Sequence, residues 1–416
     1  MEKTYEMKED IEKVILVGVN TQNADDTEDS LEELKELVKT AGGLAVGTVI
    51  QNREAAHPST YIGKGKIEEV GILMEELGAT GIVCDDEMSP SQLRNLENAL
   101  QTKVMDRTQV ILDIFARRAS TREGKIQVEL AQLKYRSSRL IGMRNALSRL
   151  GGGIGTRGPG EKKLEMDRRL IKERIGQLKD EIADMEKHRS VARSRRSENS
   201  VPVIAIVGYT NAGKSTLLNR LTKAGVLEED KLFATLDPIT RNLKLENGQE
   251  VLFTDTVGFI RKLPHHLIDA FRSTLEEAKY ADMIVHVVDC SSPQMDKQME
   301  VVYETLQDLG VEGKTIITLF NKQDLLEGDR ALSDPKADFT LPASVKYGEG
   351  LEELLALIEK ILRESRVFIS GTFSYQDAAK IGRIRKYGEL LKEEYLEEGI
   401  YIEALVPKEL KNDIYG

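Results

Sequence analysis

Apolar residues along the first hundred positions recur in two rhythms. VILVGV, from Val14 to Val19, is continuously apolar and rich in β-branched residues, as a strand buried on both faces should be. The acidic stretch that follows to Lys39 spaces Leu31, Leu34 and Leu37 three apart, a helical stripe. The alternation continues with GTVIQ as a strand, Lys66 to Leu77 as a helix, GIVCDD from Gly81 as a strand, Ser89 to Leu100 as a helix and KVMD from Lys103 as a strand. Strand followed by helix, repeated, predicts a small parallel α/β domain over residues 1–115.

The rhythm then lengthens. From Gln127 to Leu147 a single helix is predicted, with Leu133, Leu140 and Leu147 recurring every seven residues and Ile126 and Leu130 beside them. After the glycine-rich GGGIGTRGPG, Gly151 to Gly160, a second helix carries Leu164, Ile171, Ile175, Leu178, Ile182 and Met185 at steps of 7, 4, 3, 4 and 3. Two helices with matching stripes and a short glycine loop between them predict an antiparallel hairpin over residues 116–196, with 151–160 as its tip. At about 1.5 Å per residue, helices of this length would hold the tip on the order of 40 Å from the body.

RSRRSENS, Arg193 to Ser200, has no apolar content and reads as a linker, placed between the domains at 197–201. Beyond it VPVIAIVGY, EVLFTDTVGF, DMIVHVVDC and KTIITLFNKQD are apolar strand candidates with helices between them, a second α/β domain over 202–365 that closes on the amphipathic helix Leu351 to Arg363. The remainder, 366–416, with FISGTF, a mixed helix through KIGRIRKYGELLKEEYLEEG, and YIEALVP, predicts a small α+β appendage.

Composition changes this picture in two ways. The 416 residues, 40% hydrophobic and 31% charged, fit a globular chain of two to four domains and exclude wholesale disorder. No apolar run approaches the roughly 18–20 residues of a membrane-spanning helix, and MEKTYEMKEDIEK lacks the pattern of a secretory signal, so a cytoplasmic protein is expected. Cys84 and Cys290, both in apolar runs, are expected as buried small residues rather than redox groups. His57, His188 and His286 are scattered without ligand spacing, so no zinc site is expected. The net charge of −11 conceals a division: Arg117 to Arg196 holds 22 Lys/Arg against 10 Asp/Glu, or +12, which leaves −23 elsewhere. The hairpin is therefore suited to a polyanion, although a solvated helix face is also often charged.

The second α/β domain carries the chemistry. GYTNAGKST comprises Gly208, Tyr209, Thr210, Asn211, Ala212, Gly213, Lys214, Ser215 and Thr216, and matches G-x-x-x-x-G-K-[ST] between a buried strand and a helix. Its backbone N–H groups would wrap a pyrophosphate, Lys214 would reach the β- and γ-phosphates, and the Ser215 hydroxyl would bind Mg²⁺. DTVG, comprising Asp255, Thr256, Val257 and Gly258, offers a carboxylate that holds Mg²⁺ through water and a Gly258 amide that senses the γ-phosphate. Between them FATLD, made of Phe233, Ala234, Thr235, Leu236 and Asp237, should bring a threonine to Mg²⁺; Thr235 is favoured, with Thr240 as its competitor. NKQD, from Asn321 through Lys322 and Gln323 to Asp324, ends a strand, and its aspartate would accept from N1–H and the 2-amino group of guanine. Adenine would leave that carboxylate unpaired. Ser344, Val345 and Lys346 would close over the base. Lys214, Thr235 and Gly258 are thus the expected catalytic residues of a P-loop GTPase domain.

These residues in this order resemble the translation-factor-type GTPases, and more closely the HflX family of ribosome-associated GTPases. The resemblance rests on HPSTYIGKGKIEE at His57, GGIGTRGPGE at Gly152 followed by LEMDRR, then GYTNAGKST, FATLDPITR and DTVGFIRKLP, and spans about residues 10 to 365. The chain departs from the family pattern at Lys162 and Lys163, at Ile239, and at Val345 where SAK is usual. The resemblance implies a GTPase that binds the large ribosomal subunit and splits stalled or stressed ribosomes, with the hairpin turned toward ribosomal RNA. Arg157 at the tip, with Arg139, Arg144, Arg149, Lys162, Lys163, Arg168 and Arg169, would then contact RNA phosphates.

Phe259 follows DTVG where many GTPases carry a water-orienting glutamine, so intrinsic hydrolysis should be slow; it would equally serve as a strand-end core residue. Asn211 matches G-x-x-N-x-G-K-S, in which the asparagine helps bind an activating K⁺. His265 and His266 start a helix, with packing favoured over a general-base role. GKGK, Gly63 to Lys66, could contact RNA, hold a phosphate or simply turn the chain. The alternatives to ribosome remodelling are a GTP-dependent switch acting on a protein partner and an RNA-remodelling ATPase centred on the first domain. A monomer is expected, since the hairpin stripes satisfy each other.

Overall fold

The computed structural model describes residues 11–21, 26–150, 159–198, 201–222, 232–233, 236–262, 264, 267, 277–326, 328, 331–407, 410–411 and 414. The chain forms two compact units. One contains residues 1–182, 229–237 and 260–272, and the other 183–228, 238–259 and 273–416.

In the first unit, β1 (Lys13–Thr21), β2 (Leu44–Arg53), β3 (Gly81–Cys84) and β4 (Lys103–Asp106) form a wholly parallel sheet in the order β2-β1-β3-β4. Val17 stands opposite Val49 on one side and Cys84 on the other. The crossovers are α1 (Thr27–Thr40), α2 (Lys64–Leu77) and α3 (Pro90–Leu100). Sequence explains their ends: Ser89 and Gln92 form a reciprocal capping box before Pro90, and Gly78 takes the left-handed conformation that stops α2. Ile15, Val17, Ile82, Val70 and Leu96 lie in the core, so the continuous apolar runs do become strands covered on both faces. Cys84 and Cys290 are both buried and free.

After α4 (Arg107–Arg118) come the long helices α5 (Arg122–Leu150) and α6 (Pro159–Glu198). Ion pairs Arg122–Glu181 at 3.4 Å and Arg174–Glu129 at 2.8 Å link them, and as the residue number rises on α5 it falls on α6, the register of an antiparallel hairpin. Ile126, Leu130 and Leu178 of the expected stripes are buried. The tip, residues 151–158, lies outside the described residues. The segment expected as a linker is different: α6 continues through Arg193 to Glu198. Loss of apolar content does not end a helix that meets no glycine or proline, and the next proline is Pro202.

In the second unit, β5 (Val203–Gly208), β6 (Ile239–Lys244), β7 (Glu250–Asp255), β8 (Met283–Asp289), β9 (Thr315–Asn321) and β10 (Phe339–Pro342) form one sheet in the order β10-β9-β8-β5-β7-β6. All neighbours are parallel except the edge pair β6–β7. The helices α7 (Lys214–Thr222), α8 (Met295–Asp308) and α9 (Leu351–Glu364) present apolar faces, Leu217 and Leu218 in α7 and Leu354, Ile358 and Leu362 in α9, to the core of this unit.

The C-terminal part pairs β11 (Val367–Phe373) and β12 (Glu389–Leu396) on either side of β13 (Gly399–Val406), all antiparallel, with α10 (Ala378–Tyr387) packed through Ile381 and Ile384. The mixed helix expected through KIGRIRKYGELLKEEYLEEG is therefore only half helix. It stops before Gly388, and ELLKEEYL is a strand fixed by seven cross-strand partners on β13. The expected multidomain α/β class stands. Among the described residues no helix is long and apolar enough to cross a membrane.

Candidate functional site

Three loops at the carboxyl ends of parallel strands build the site, the usual place for a ligand in an open α/β sheet. The first runs from β5 into α7. Gly213 has φ +103°, and a Cβ there would stand 2.3 Å from Asn321 Nδ2, so only glycine allows this approach. Asn321 uses it: its Nδ2 donates to the Ala212 carbonyl at 2.8 Å, while its Oδ1 accepts from the Val345 amide at 3.0 Å. One side chain at the end of β9 thus joins the phosphate loop to the base loop.

Lys214, 6% exposed, donates to the Tyr209 carbonyl at 2.7 Å. Burial lowers its pKa to about 8, with the Asp255 carboxylate opposing. The Ser215 hydroxyl donates to Asp255 Oδ2 at 2.8 Å, placing a hydroxyl and a buried carboxylate side by side at the end of β7. Thr256 donates to the Ile206 carbonyl at 2.8 Å and pins the DTVG turn to β5. Val257 is buried. Phe259 is buried and forms a bridge to the phosphate loop, donating its N–H to Gly208 at 3.1 Å and accepting from the Thr210 N–H at 2.8 Å. Asn211, with φ +61°, is exposed, and Thr216 occupies the first turn of α7.

At the base loop, Asp324 is exposed and accepts from the Ser344 hydroxyl. Lys322, with φ +65°, pairs with Asp289 at 2.7 Å, and the Gln323 N–H donates to the Ala343 carbonyl. Lys346 is exposed, its carbonyl accepting from Arg220. Val345, where the family pattern has alanine, is fully buried in the core, so the substitution leaves the loop in place.

The FATLD segment divides. Ala234 and Thr235 lie outside the described residues. Thr240 is a ladder residue whose hydroxyl meets that of Thr254 at 2.9 Å across the β6–β7 pair. Of Phe233, Leu236 and Asp237, all expected to hold nucleotide, Phe233 and Asp237 have their described partners in the first unit. Phe233 stacks edge-on against Phe115 with ring centroids 4.7 Å apart, and Leu236 is buried. The Asp237 carboxylate accepts from the backbone N–H and hydroxyl of both Ser120 and Thr121, at 2.5 to 3.0 Å. Burial raises its pKa, but these four bonds outweigh burial and hold the carboxyl below its ordinary value. Asp237 thereby fixes, from 116 residues away, the two residues that lead into α5, and the Thr121 hydroxyl oxygen in turn caps that helix by accepting from the Gly124 N–H at 3.0 Å.

The segment after Phe259 is held in the same unit. Lys262 binds Asp85 and, at 2.7 Å, Asp86, and Arg261 reaches Asp26 at 3.3 Å. Sequence reading missed these partners because each is an ordinary charged residue whose partner is more than 170 positions away. His265 and His266 lie outside the described residues.

Of the expected RNA contacts, Arg139 is committed elsewhere: it bonds Asp106 at 2.6 Å and lies 3.9 Å above the Tyr135 ring, because a fully buried carboxylate requires a cation. Arg169 is exposed in an i,i+4 pair with Glu173, and Arg168 is half-buried. Arg157 and the side chains of Arg144, Arg149, Lys162 and Lys163 lie outside the described residues. Gly63 caps α2 and donates to Gln51 Oε1 at 2.8 Å, which makes GKGK a helix-start turn. His57 bonds Thr60, and His286 is buried 3.8 Å from Asp334. Among the described residues no group of His, Cys, Asp or Glu is arranged to hold a metal by itself.

Comparison with known proteins matches three family models along the chain. Residues 28–116 match the family described as GTP-binding GTPase N-terminal, 118–196 the GTP-binding GTPase Middle Region, and 203–322 the 50S ribosome-binding GTPase. The chain is 67% identical over 410 residues to GTPase HflX of Lacrimispora saccharolytica, covering 99% of this chain and 97% of the relative. It is 49% identical over 406 residues to GTPase HflX of Caldanaerobacter subterraneus subsp. tengcongensis, covering 98% and 94%. A crystal structure of a GTP-binding protein from the archaeon Sulfolobus solfataricus in complex with GDP aligns with 84% of this chain and 98% of its own, at 24% identity and a TM-score of 0.44.

Proposed function

The chain belongs to the GTPase HflX family, enzymes that cleave GTP to GDP and phosphate, and we propose from that premise that it binds the large ribosomal subunit and dissociates stalled or stressed ribosomes. The GTP-bound form acts and hydrolysis resets it. The observation that carries this reading is the pairing, in one chain, of a guanine-nucleotide site with an antiparallel helical hairpin in a segment of charge +12. Arg144, Arg149, Arg157, Lys162, Lys163, Arg168 and Arg169 contact RNA phosphates, and the cytoplasm is where they meet them.

In hydrolysis a water oxygen bonds to the γ-phosphorus while the bond from that phosphorus to the β–γ bridging oxygen breaks, leaving GDP and inorganic phosphate. Lys214 and the Gly258 N–H stabilise charge on the terminal phosphate. Asp324 accepts from the guanine N1–H and 2-amino groups. The adjacent Ser215 hydroxyl and Asp255 carboxylate suit a hard cation bound through oxygen and water, so they would hold Mg²⁺, joined by Thr235. When bound, Mg²⁺ would neutralise negative charge on the phosphates. Asn211, exposed within the phosphate loop, would help hold K⁺ as an activator. Phe259 offers no group to orient water, so turnover is slow until a partner supplies one.

Sedimentation of intact ribosomes with the protein and GTP, a nonhydrolysable analogue, GDP or ATP tests the proposal. Free subunits are expected with GTP and with the analogue, and not with GDP or ATP. Ribosomes that stay intact, with no protein co-sedimenting in any nucleotide, would overturn it in favour of a switch acting on a protein partner.

A further inference from the structure

We propose that the Thr210 hydroxyl is a third donor to the terminal phosphate of GTP, alongside Lys214 and the Gly258 amide. The proposal rests on the assignment of this loop to GTP and deepens it.

Thr210 is 7% exposed, and its Oγ1 is buried without a hydrogen-bonding partner among the described residues. A hydroxyl removed from water and left unpaired is costly, and such groups in folded proteins usually have a task. Its backbone is fixed, since the Thr210 N–H donates to the Phe259 carbonyl at 2.8 Å within the bridge that joins the phosphate loop to the DTVG turn. Its surroundings identify the task. A Cβ placed on Gly258 would stand 2.8 Å from Thr210 Cγ2, 3.0 Å from Thr210 Cα and 3.0 Å from Lys214 Nζ. One point beside Gly258 is therefore in contact with the methyl and Cα of Thr210 and with the phosphate-loop lysine, and the hydroxyl shares the Cβ of that methyl, one rotation away.

Chemistry supplies the remaining step. The oxygens of a terminal phosphate only accept hydrogen bonds, and Lys214 and the Gly258 N–H only donate. A hydroxyl donor standing with them has the required polarity, in a setting where the Phe259 side chain contributes no polar group. Because GDP lacks the terminal phosphate, a donor aimed at it distinguishes the two nucleotides.

The test uses the full-length protein with fluorescent GDP and a nonhydrolysable GTP analogue for binding, and single-turnover hydrolysis of GTP. Thr210→Val keeps the shape and removes the donor. It should leave GDP affinity within about twofold, and lower both analogue affinity and hydrolysis by about tenfold or more. Thr210→Ser keeps the donor and should remain within about threefold of the wild type throughout. A Thr210→Val protein that binds the analogue and hydrolyses GTP as the wild type does would overturn the proposal. So would equal losses of GDP and analogue binding, or a Thr210→Ser protein as impaired as Thr210→Val, since the methyl contact with Gly258 would then be what matters. Wild-type protein that binds neither guanine nucleotide would instead remove the reading of the loop on which the proposal stands.

Discussion

The chain contains two sheets whose parallel strands are wound in the same manner, the second with an added antiparallel edge strand, and their strand ends carry opposite chemistry. In the second unit β5 ends in a glycine loop, and backbone N–H groups, Lys214 and the start of α7 face whatever binds there. In the first unit β3 runs into Asp85 and Asp86, and β4 ends in Asp106. Asp106 caps α4 by accepting from the Gln109 N–H at 3.0 Å, and it also takes the Met88 N–H, the Tyr135 hydroxyl and Arg139. Asp85 accepts from Ser30, Arg107 and Lys262. The helix-start charge that would attract a phosphate is already answered there by carboxylates, and those carboxylates by cations of the same chain. Winding brings a crevice to the strand ends, and the residues placed in it decide the ligand.

The largest effect expected from this contrast is on stability. Arg107 and Asp85 are 1% exposed and 2.8 Å apart, with Glu33 also bound to the guanidinium. Arg107→Ala leaves buried carboxylates short of a partner and should cost about 3–5 kcal/mol in chemical denaturation. A loss below about 1 kcal/mol would show that these carboxylates tolerate an open site, and the two sheets would no longer differ in kind. Next is Lys214→Ala, which should slow GTP hydrolysis on the order of 10²–10³-fold. ATP turnover surviving that substitution would give the first sheet a nucleotide activity of its own and break the comparison directly.

The same contrast explains what the sequence reveals. The phosphate loop and NKQD are legible because each compresses its chemistry into a few consecutive residues whose spacing is the geometry. The strands β1, β5 and β8 are legible because burial on both faces leaves an unbroken apolar run. The edge strand β6 is not, since its residues are half-buried or exposed and its pattern is carried by pairing with β7. ELLKEEYL has helical composition and becomes β12 because β13 offers a partner. Asp237 sits inside a nucleotide-binding motif and spends its carboxylate on the start of α5. Spacing cannot announce a partner that arrives from 116 residues away.

Two lysines restate the contrast at its smallest scale. Lys262 loses water on burial, yet the Asp85 and Asp86 carboxylates facing it outweigh that loss and raise its pKa. Lys214 is opposed in its burial only by Asp255, with the buried His286 ring also within electrostatic range, and its pKa falls to about 8. A phosphate beside Lys214 would raise that pKa again, so binding above about pH 8 takes up a proton. Nucleotide affinity should therefore be level between about pH 7 and 8. It should then weaken toward a tenfold loss per pH unit, the limit for one linked proton. Fluorescent GDP titrations kept below about pH 9, where guanine N1 still holds its proton, measure the slope. A level profile across that range would mean that Lys214 stays charged in the free protein. The phosphate site would then resemble the carboxylate site in having its cation already compensated, and the difference between the sheets would rest on backbone amides alone.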